Sequence, residues 1–335
     1  MTMDFDGKTV LVTGGTGSFG RAFAQAVLEA STPHKLIIYS RDEQKQFDMA
    51  QSPEFSSFKK VLRFFIGDVR DYDRLEMALR GVDIVVHAAA LKHVPAAEYN
   101  PMECIKTNVH GAENLVMAAI RTGVRKVVAL STDKAVNPVN LYGASKLAAD
   151  KIFVSANSLS GDDGPRFAVA RYGNVIGSRG SIVPFFKRKI AEGAECLPIT
   201  DPRMTRFWMT LEQGVAFVVS CLHVMKRGEI FVPKIPSMAI VDLARVIAPD
   251  MPHKIIGVRP GEKIHEVLVT EDDARNTIEL PDRYIIRPTL YPEWAAGYRE
   301  DEKPLEDGFR YASDTNLEVL DEAGMKLLLN STKME

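Results

Sequence analysis

The sequence has little cysteine, little tryptophan and almost no net charge. Of its 335 residues, 3 are cysteines and 2 are tryptophans, and the formal net charge is −2 at pH 7. Three widely spaced cysteines form neither a disulfide framework nor a zinc-binding pattern, so we expect reduced thiols, no metal and a cytoplasmic location. A net charge near zero gives no reason to expect nucleic acid or an anionic membrane surface as a partner.

Long hydrophobic runs are also missing. No apolar segment approaches the roughly 20 residues that a transmembrane helix needs. The first eight residues are acidic and lack the charge pattern of a signal peptide. With 46% hydrophobic and 26% charged residues, the composition is that of an ordinary globular protein. We therefore expect a globular chain that has no membrane partner.

Strand-like and helix-like patterns alternate through the first half of the chain. Short apolar segments rich in Val and Ile predict strands at residues 9–13, 35–40, 62–66, 84–88, 126–131 and 167–171. Helical patterns lie between them, for example at residues 18–30, 71–80 and 102–122. Buried strands that alternate with helices predict an α/β fold with a doubly wound parallel sheet, the Rossmann arrangement.

The pattern changes after about Val175, where prolines become frequent. We expect a smaller α/β substrate-binding domain over the carboxyl ends of the sheet. The two domains are predicted to interleave along the chain: residues 1–176 and about 207–248 form the Rossmann domain, and residues 177–206 and about 249–335 form the substrate-binding domain.

A glycine-rich turn follows the first predicted strand. The glycine spacing suits a tight turn at Gly14, close approach of a pyrophosphate to Gly17 and close helix packing at Gly20. The N-terminus of the following helix would favour the anion. This turn predicts a dinucleotide site that includes Gly14, Thr16, Gly17, Ser18, Phe19 and Gly20.

The end of the second predicted strand bears on which dinucleotide binds. An acidic residue there would accept from the ribose hydroxyls of NAD, whereas the guanidinium of Arg41 suits the 2′-phosphate of NADP, with Lys45 assisting. The sequence therefore predicts NADP; the alternative reading is that Ser40 caps a helix and that Asp42 contacts a 2′-hydroxyl. The remaining predicted cofactor contacts follow later strands: Asp68, Val69, Ala88, Ala89, Lys92, Leu130 and Ser131.

The most informative stretch joins residues 131–134 to a helix that carries Tyr142 and Lys146. Side chains four positions apart share one helix face, so the Lys146 ammonium can lower the pKa of Tyr142. The phenolate can then take a proton from a substrate hydroxyl. Asp133 and Lys134 add an acid and a base for a second proton transfer; the alternative reading is a loop ion pair. Tyr142 and Lys146 are predicted to serve both the cofactor and the catalysis.

These motifs resemble the nucleotide-sugar 4,6-dehydratases of the extended short-chain dehydrogenase/reductase superfamily, and among them the inverting enzymes of pseudaminic acid synthesis. The resemblance runs from about residue 9 to residue 288 and rests on residues 13–20, 39–43, 87–95, 131–134, 171–175, 177–181, 201–207 and 259–263. It implies an NADP-dependent hydro-lyase that acts on UDP-N-acetylglucosamine. The tail after about residue 289 carries no expectation.

The resemblance implies a catalytic role for each residue of the stretch. Tyr142 takes the proton of the C4 hydroxyl, which Thr132 orients. Lys134 removes the C5 proton, and Asp133 protonates the departing C6 hydroxyl. Lys134 must be neutral for this task, a state that burial or a nearby cation such as Lys92 would favour. Retaining relatives carry Glu at this position, so Lys134 implies inversion at C5 and a UDP-2-acetamido-2,6-dideoxy-L-arabino-hex-4-ulose product.

A substrate site is implied as well. Its expected contacts are Lys92, Asn174, Ser181, Val183, Pro184, Arg206, Arg259 and Glu262, with Arg179, Arg203 and Lys263 as weaker candidates. Arg206 and Arg259 are expected to bind the diphosphate. The relatives also imply a homo-oligomer, either a dimer or a hexamer. Three alternatives stay open: a UDP-sugar 4-epimerase, a retaining 4,6-dehydratase of the same fold, and a non-catalytic NADP-binding regulator.

Overall fold

The computed structural model describes residues 5–178, 180–298 and 302–332. Its strands are β1 (Thr9–Thr13), β2 (Lys35–Ser40), β3 (Leu62–Ile66), β4 (Ile84–His87), β5 (Lys126–Thr132), β6 (Arg166–Tyr172), β7 (Asn174–Val175), β8 (Leu197–Ile199), β9 (Thr205–Met209), β10 (Ile230–Pro233), β11 (Ser237–Ala239), β12 (His253–Ile255), β13 (Val267–Val269), β14 (Thr277–Glu279), β15 (Arg283–Ile286) and β16 (Tyr311–Ala312).

The α-helices are α1 (Ser18–Ala30), α2 (Glu43–Gln51), α3 (Pro53–Ser56), α4 (Tyr72–Leu79), α5 (Val94–Tyr99), α6 (Pro101–Ile105), α7 (Gly111–Thr122), α8 (Leu141–Ser160), α9 (Ile182–Ala191), α10 (Leu211–Val224), α11 (Ile240–Ile247), α12 (Glu271–Ala274) and α13 (Glu322–Ser331). Among the described residues, no helix combines the length and apolarity needed to cross a membrane.

The main sheet has nine strands in the order β14-β15-β10-β6-β5-β4-β1-β2-β3. Neighbouring strands are parallel from β3 to β10, and β15 and β14 add an antiparallel edge. Helices α1 and α10 pack together, and α4, α7 and α8 form a second packed group. The predicted doubly wound α/β fold is therefore confirmed.

The strand order reverses between β1 and β4, which makes a crevice at their carboxyl ends. Strand β1 is buried along its whole length because sheet and helices cover it on all sides. The sequence predicted residues 102–122 as one helix, but residues Lys106–His110 form a π-helical turn between α6 and α7. Such turns insert one extra residue and change the direction of the side chains around them.

A second hydrophobic core lies outside the main sheet. It joins Val183 and Phe186 of α9 to Trp208 of β9, Leu243 of α11 and Met325 of α13. Strand β9 pairs in parallel with β7, which follows β6 almost directly. The second core is thus attached to the carboxyl end of a central strand.

Candidate active site

The glycine-rich turn at the end of β1 forms a cradle of backbone. Gly14 has a φ of +64°, and a Cβ there would lie 2.9 Å from the backbone nitrogen of Ala89. A Cβ at Gly20 would lie 2.4 Å from the Cα of Gly15. The N-cap of α1 is Gly17, which has no side chain to cap the helix. These features leave a helix N-terminus beside tightly packed backbone, an arrangement that fits a pyrophosphate.

The residues at the end of β2 differ in how many hydrogen bonds and ion pairs they form with other residues of the protein. Ser40 is buried, and its hydroxyl lies 3.2 Å from both Thr16 Oγ1 and Gln46 Nε2. The Asp42 carboxylate caps α2 through the Lys45 amide at 3.0 Å and pairs with Lys45 Nζ at 2.7 Å. These contacts hold the pKa of Asp42 below its usual value. The Arg41 side chain remains about half exposed.

Asp68 lies across from Arg41, at the end of β3. Its carboxylate is 3.4 Å from Arg41 Nη1 and 2.6 Å from Arg70 Nη2. Partial burial raises the pKa of Asp68, but the hydrogen bonds from Arg70 outweigh burial and hold it below the usual value. Val69 is buried beside it. Asp68 therefore gives the Arg41 guanidinium a carboxylate partner at the ends of β2 and β3.

Thr13 organises the end of β4. Its hydroxyl accepts from the amides of Ala88 and Ala89 at 3.2 Å each and lies 2.8 Å from His87 Nδ1. Because the hydroxyl accepts twice, its proton is available for Nδ1, which makes the Nε2–H tautomer of His87 the consistent one. Burial, with the charge of Lys146, lowers the pKa of His87 to about 3. Lys92 follows on an exposed loop.

The turn that the sequence predicts to be catalytic, called the catalytic turn below, follows β5 and is a single turn of 3-10 helix, Asp133–Ala135. Thr132 donates to Asp133 Oδ1 at 2.9 Å, and Lys134 Nζ lies 3.0 Å from the same oxygen. Asp133 is fully buried, and its Oδ2 atom has no hydrogen-bond partner among the described residues. The turn thus presents one shielded carboxylate oxygen that is ready to bind a polar group.

The surroundings of Lys134 oppose the neutral state that the sequence interpretation required. Burial alone would lower its pKa, but the charges of Asp133 and Glu266 raise it by more. The Nζ atom lies 3.6 Å from Glu266 Oε1, a partner that sequence reasoning did not foresee. The two carboxylates therefore favour the ammonium form of Lys134 in this arrangement.

Tyr142 and Lys146 lie on the first turns of α8, whose N-cap is Asn140. Both side chains are buried, and burial raises the pKa of Tyr142 to about 12. The charge of Lys134 and a hydrogen bond from Thr132 act in the opposite direction. Lys146 Nζ donates to the Leu130 carbonyl at 2.7 Å, and burial lowers its pKa. Lys134 is thus the cation that acts on Tyr142 here, whereas the sequence assigned that task to Lys146.

Ser131, one of the predicted cofactor contacts, has its hydroxyl bonded to another side chain of the protein. It donates to Asp150 Oδ2 at 2.9 Å, and Arg171 Nη2 lies 3.2 Å from the same oxygen. All three side chains are at least 95% buried. This network lies behind the catalytic turn and ties β5, α8 and β6 together.

Several predicted substrate residues carry buried polar atoms without partners. Within the described part of the chain this holds for Asn174 Oδ1, Ser181 Oγ and Glu262 Oε2, in addition to Asp133 Oδ2. A buried polar atom without a partner costs roughly 1–3 kcal/mol. A polar ligand that bonded to these atoms would remove that cost.

The other predicted substrate residues differ in their accessibility. Arg206 is buried, and its guanidinium donates to the carbonyls of Thr205, Lys263 and Ile264 at 2.7–3.0 Å. It therefore anchors the segment after Arg259 and has few donors left for a diphosphate, contrary to expectation. Arg259 is more than half exposed. Val183 lies in the second core, Pro184 is partly exposed, and Arg179 lies outside the described residues.

Of the weaker substrate candidates, Lys263 lies close to the catalytic turn. Its Nζ donates to the carbonyls of Asp133 and Val136. Arg203 pairs with Asp201 at 2.8 Å and is otherwise exposed. Three cysteines are free thiols, and no group of three or more potential metal ligands occurs within residues 5–178, 180–298 and 302–332.

Comparisons with known proteins identify the family. The family described as "Polysaccharide biosynthesis protein" matches residues 10–288. A Campylobacter jejuni subsp. jejuni protein (serotype O:23/36, strain 81-176) named UDP-N-acetylglucosamine 4,6-dehydratase (inverting) is 55% identical over 98% of this chain and 99% of its own. A Rickettsia canadensis protein named UDP-glucose 4-epimerase is 44% identical over 84% of this chain and 83% of its own.

The fold comparison agrees with the sequence comparison. The X-ray structure of Pen from Bacillus thuringiensis superposes with a TM-score of 0.88 at 37% identity and covers 98% of both chains. The resemblance that the motifs indicated is confirmed: the chain belongs to the polysaccharide biosynthesis protein family, with the extended short-chain dehydrogenase/reductase fold that includes the inverting UDP-N-acetylglucosamine 4,6-dehydratases.

Proposed function

We propose that this protein is an NADP-dependent hydro-lyase that converts UDP-N-acetylglucosamine to UDP-2-acetamido-2,6-dideoxy-L-arabino-hex-4-ulose. The reaction oxidises C4, eliminates water across C5 and C6, reduces C6 and inverts C5. Within the cell we place it in the cytoplasm, as a dimer or hexamer in pseudaminic acid synthesis. We also propose the two interleaved domains described from the sequence.

One observation carries the proposal. A fully buried carboxylate, Asp133, lies 3.0 Å from the Lys134 ammonium and beside the Tyr142 helix, with its second oxygen unpartnered among the described residues. Oxidation at C4 followed by return of the hydride to C4 needs only the Tyr142 and Lys146 pair. A buried acid and base at the same place provide for a second proton transfer, which elimination of water requires.

The residues at the sheet crevice suit NADP. Gly14, Gly17 and Gly20 would face the pyrophosphate, and Arg41 with Lys45 would face the 2′-phosphate. Asp42 is already committed to capping α2, so NAD would lack a free carboxylate for its 2′-hydroxyl. When bound, the nicotinamide accepts hydride from C4 and later returns it to C6.

The chain's own residues would handle the protons. Tyr142 takes the proton of the C4 hydroxyl, and the Lys134 charge eases its ionisation. The 4-ketone makes the C5 proton acidic, and Lys134 removes that proton once its own has moved to Asp133. Asp133 then gives a proton to the departing C6 hydroxyl. Polar contacts to the nucleotide sugar would come from Asn174, Ser181 and Glu262, and contacts to its diphosphate from Lys92 and Arg259.

The test is turnover of UDP-N-acetylglucosamine with NADP in deuterated water, followed by NMR. We expect a 6-deoxy-4-keto product with deuterium at C5 and the L-arabino configuration. Unchanged substrate would refute the proposal. Retention at C5 would point to a retaining dehydratase, and cofactor binding without turnover to a regulator.

The second candidate is a UDP-sugar 4-epimerase, favoured by the 44% identity to the Rickettsia protein of that name. An epimerase would return the hydride to C4 and leave C6 hydroxylated and C5 undeuterated. Lys134→Ala separates the two activities. It should abolish dehydration while leaving cofactor binding intact, and an exposed control such as Lys59→Ala should change neither. Epimerisation that survives Lys134→Ala would favour the second candidate.

A further inference from the structure

A buried carboxylate outside the predicted site lies among three cations. Glu266 is 2% exposed, and its Oε1 atom lies 3.6 Å from Lys134 Nζ and 3.7 Å from Arg206 Nε. Its Oε2 atom lies 3.5 Å from Lys263 Nζ and has no hydrogen-bond partner among the described residues. One carboxylate is thus shared by three positive groups, one of which is the proposed base.

The position of Glu266 is set by the backbone on both sides of it. Its amide donates to Ser313 Oγ at 2.9 Å, and the Ser313 amide donates to the Glu266 carbonyl at 2.8 Å. Strand β13 follows at once and pairs with β16. Arg206 holds the carbonyls of Lys263 and Ile264 from the other side. These bonds fix the backbone from which the Glu266 carboxylate reaches Lys134.

The charged and titratable groups around Lys134 come from four elements. They are Asp133 on its own turn, Tyr142 on α8, Arg206 on β9, and Lys263 and Glu266 on the segment before β13. Two carboxylates and two further cations surround the ammonium. Without Glu266, Asp133 would be the one carboxylate of the described residues near the Lys134 ammonium. Among those residues, no carboxylate would then separate Lys134 from the positive charges of Arg206 and Lys263.

We propose that Glu266 is a positioning residue for the elimination step, which holds Lys134 between two carboxylates and stabilises it as an ammonium before and after that step. The proposal rests on the proposed dehydratase function. It gives a specific role to a buried residue that the sequence analysis did not single out.

The proton count shows where Glu266 acts. Lys134 and Asp133 can exist as an ion pair (ammonium and carboxylate) or as a neutral pair (amine and carboxylic acid). The two forms hold the same number of protons. Elimination starts from the neutral pair: Lys134 takes the C5 proton, the C–H electrons form the C5–C6 double bond, and the C6–O bond breaks as Asp133 protonates the leaving oxygen. Water departs and the ion pair returns. Glu266 favours the ion pair at both ends of the step, and so keeps on the pair the proton that each turnover must deliver to the leaving oxygen.

The direct test is Glu266→Gln, assayed for product formation and for transient reduced nicotinamide between about pH 7 and about pH 10. The wild-type rate should not fall across this range, because Lys134 keeps its proton. In Glu266→Gln the rate should fall at least about tenfold by the alkaline end, since one unit of pKa is a tenfold change. Reduced nicotinamide should accumulate there, because C4 oxidation continues while elimination slows.

Controls separate positioning from a general loss of structure. Glu271→Gln removes an exposed carboxylate five residues away and should behave as wild type. Glu266→Asp keeps the charge and should restore much of the alkaline activity. A Glu266→Gln profile parallel to wild type, or an equal loss at every pH without accumulation of reduced nicotinamide, would overturn the proposal. Absence of product from the wild type would instead refute the proposed function.

A measurement on the wild-type protein covers the case in which Glu266→Gln does not fold. With ¹⁵N-labelled lysine, the Lys134 Nζ resonance can be assigned by its loss in Lys134→Ala. We expect it to titrate above the ordinary lysine value of about 10.4. A pKa below that value would show that Glu266 does not stabilise the ammonium form of Lys134, and it would overturn the proposal.

Discussion

A methyl group at Gly20 should displace the turn that we assign to the pyrophosphate. In Gly20→Ala the new Cβ would lie 2.4 Å from the Gly15 Cα and 2.7 Å from the Gly14 oxygen. Carbon atoms in ordinary contact are about 3.5–4.0 Å apart, so backbone must move by about 1 Å. Overpacking of this kind costs roughly 1–3 kcal/mol. Alanine returns up to about 1 kcal/mol of helix propensity, which leaves a net loss of up to about 2 kcal/mol.

Gly214→Ala is the matched control, since Gly214 also lies near the start of a helix. Its Cβ would meet only the flexible end of Met209, at 3.8 Å or more. This variant should gain up to about 1 kcal/mol. The free energies of unfolding of the two variants in urea should therefore differ by about 1–3 kcal/mol, and only Gly20→Ala should weaken NADP binding in a fluorescence titration. Equal stability of the two variants, or unchanged NADP affinity in Gly20→Ala, would refute the reasoning.

Three further substitutions test other parts of the site. Arg41→Ala should weaken NADP binding by about 1.5–3 kcal/mol, the usual value of a charged hydrogen bond, and leave NAD binding unchanged; an equal loss for both would exclude a 2′-phosphate contact. Because the pKa of His87 is lowered to about 3 in the folded chain, the unfolded chain protonates first, and stability should fall by up to about 1.4 kcal/mol per unit as pH drops below about 6.5. His87→Gln should remove this part of the pH dependence, and the exposed His34→Gln should keep it. Asp150→Asn removes the nearer carboxylate of the buried Arg171 guanidinium, which keeps only Asp273 at 3.9 Å, and should cost about 3–5 kcal/mol in urea unfolding; a loss below about 1 kcal/mol would contradict the buried pair.

The fold was accessible from the sequence because its signals are local. Strands β1, β2 and β3 begin and end where the apolar segments do, and α1 spans the predicted residues 18–30. The π-helical turn after α6 was missed because no local pattern marks it. There, Asn108 bonds through its side chain to the backbone of Leu91 and to Ser145, contacts that only the folded chain brings together.

The site was accessible only where a motif carries its own geometry. The roles of the residues in the glycine-rich turn and in the catalytic turn could be predicted from their spacing in the sequence. The charge of Lys134 could not, because it depends on Glu266, which is 132 positions away in the numbering and is held by the tail that begins after residue 289. Arg206 was assigned to a diphosphate for a similar reason: the sequence shows its charge but not the carbonyls that surround it.

The raised pKa of Lys134 imposes an order on the proposed reaction. An ammonium cannot take the C5 proton, so the amine must form after the substrate binds. The Lys134 Nζ and Asp133 Oδ1 atoms are 3.0 Å apart, close enough for a direct proton transfer. A bound sugar would exclude water from this pair, and exclusion of water disfavours separated charges relative to the neutral amine and acid. Oxidation at C4 needs no such transfer, since Tyr142 is assisted by the ammonium form. The same lysine would therefore serve the first step with its charge and the second step without it, and the proton on Asp133 links the two.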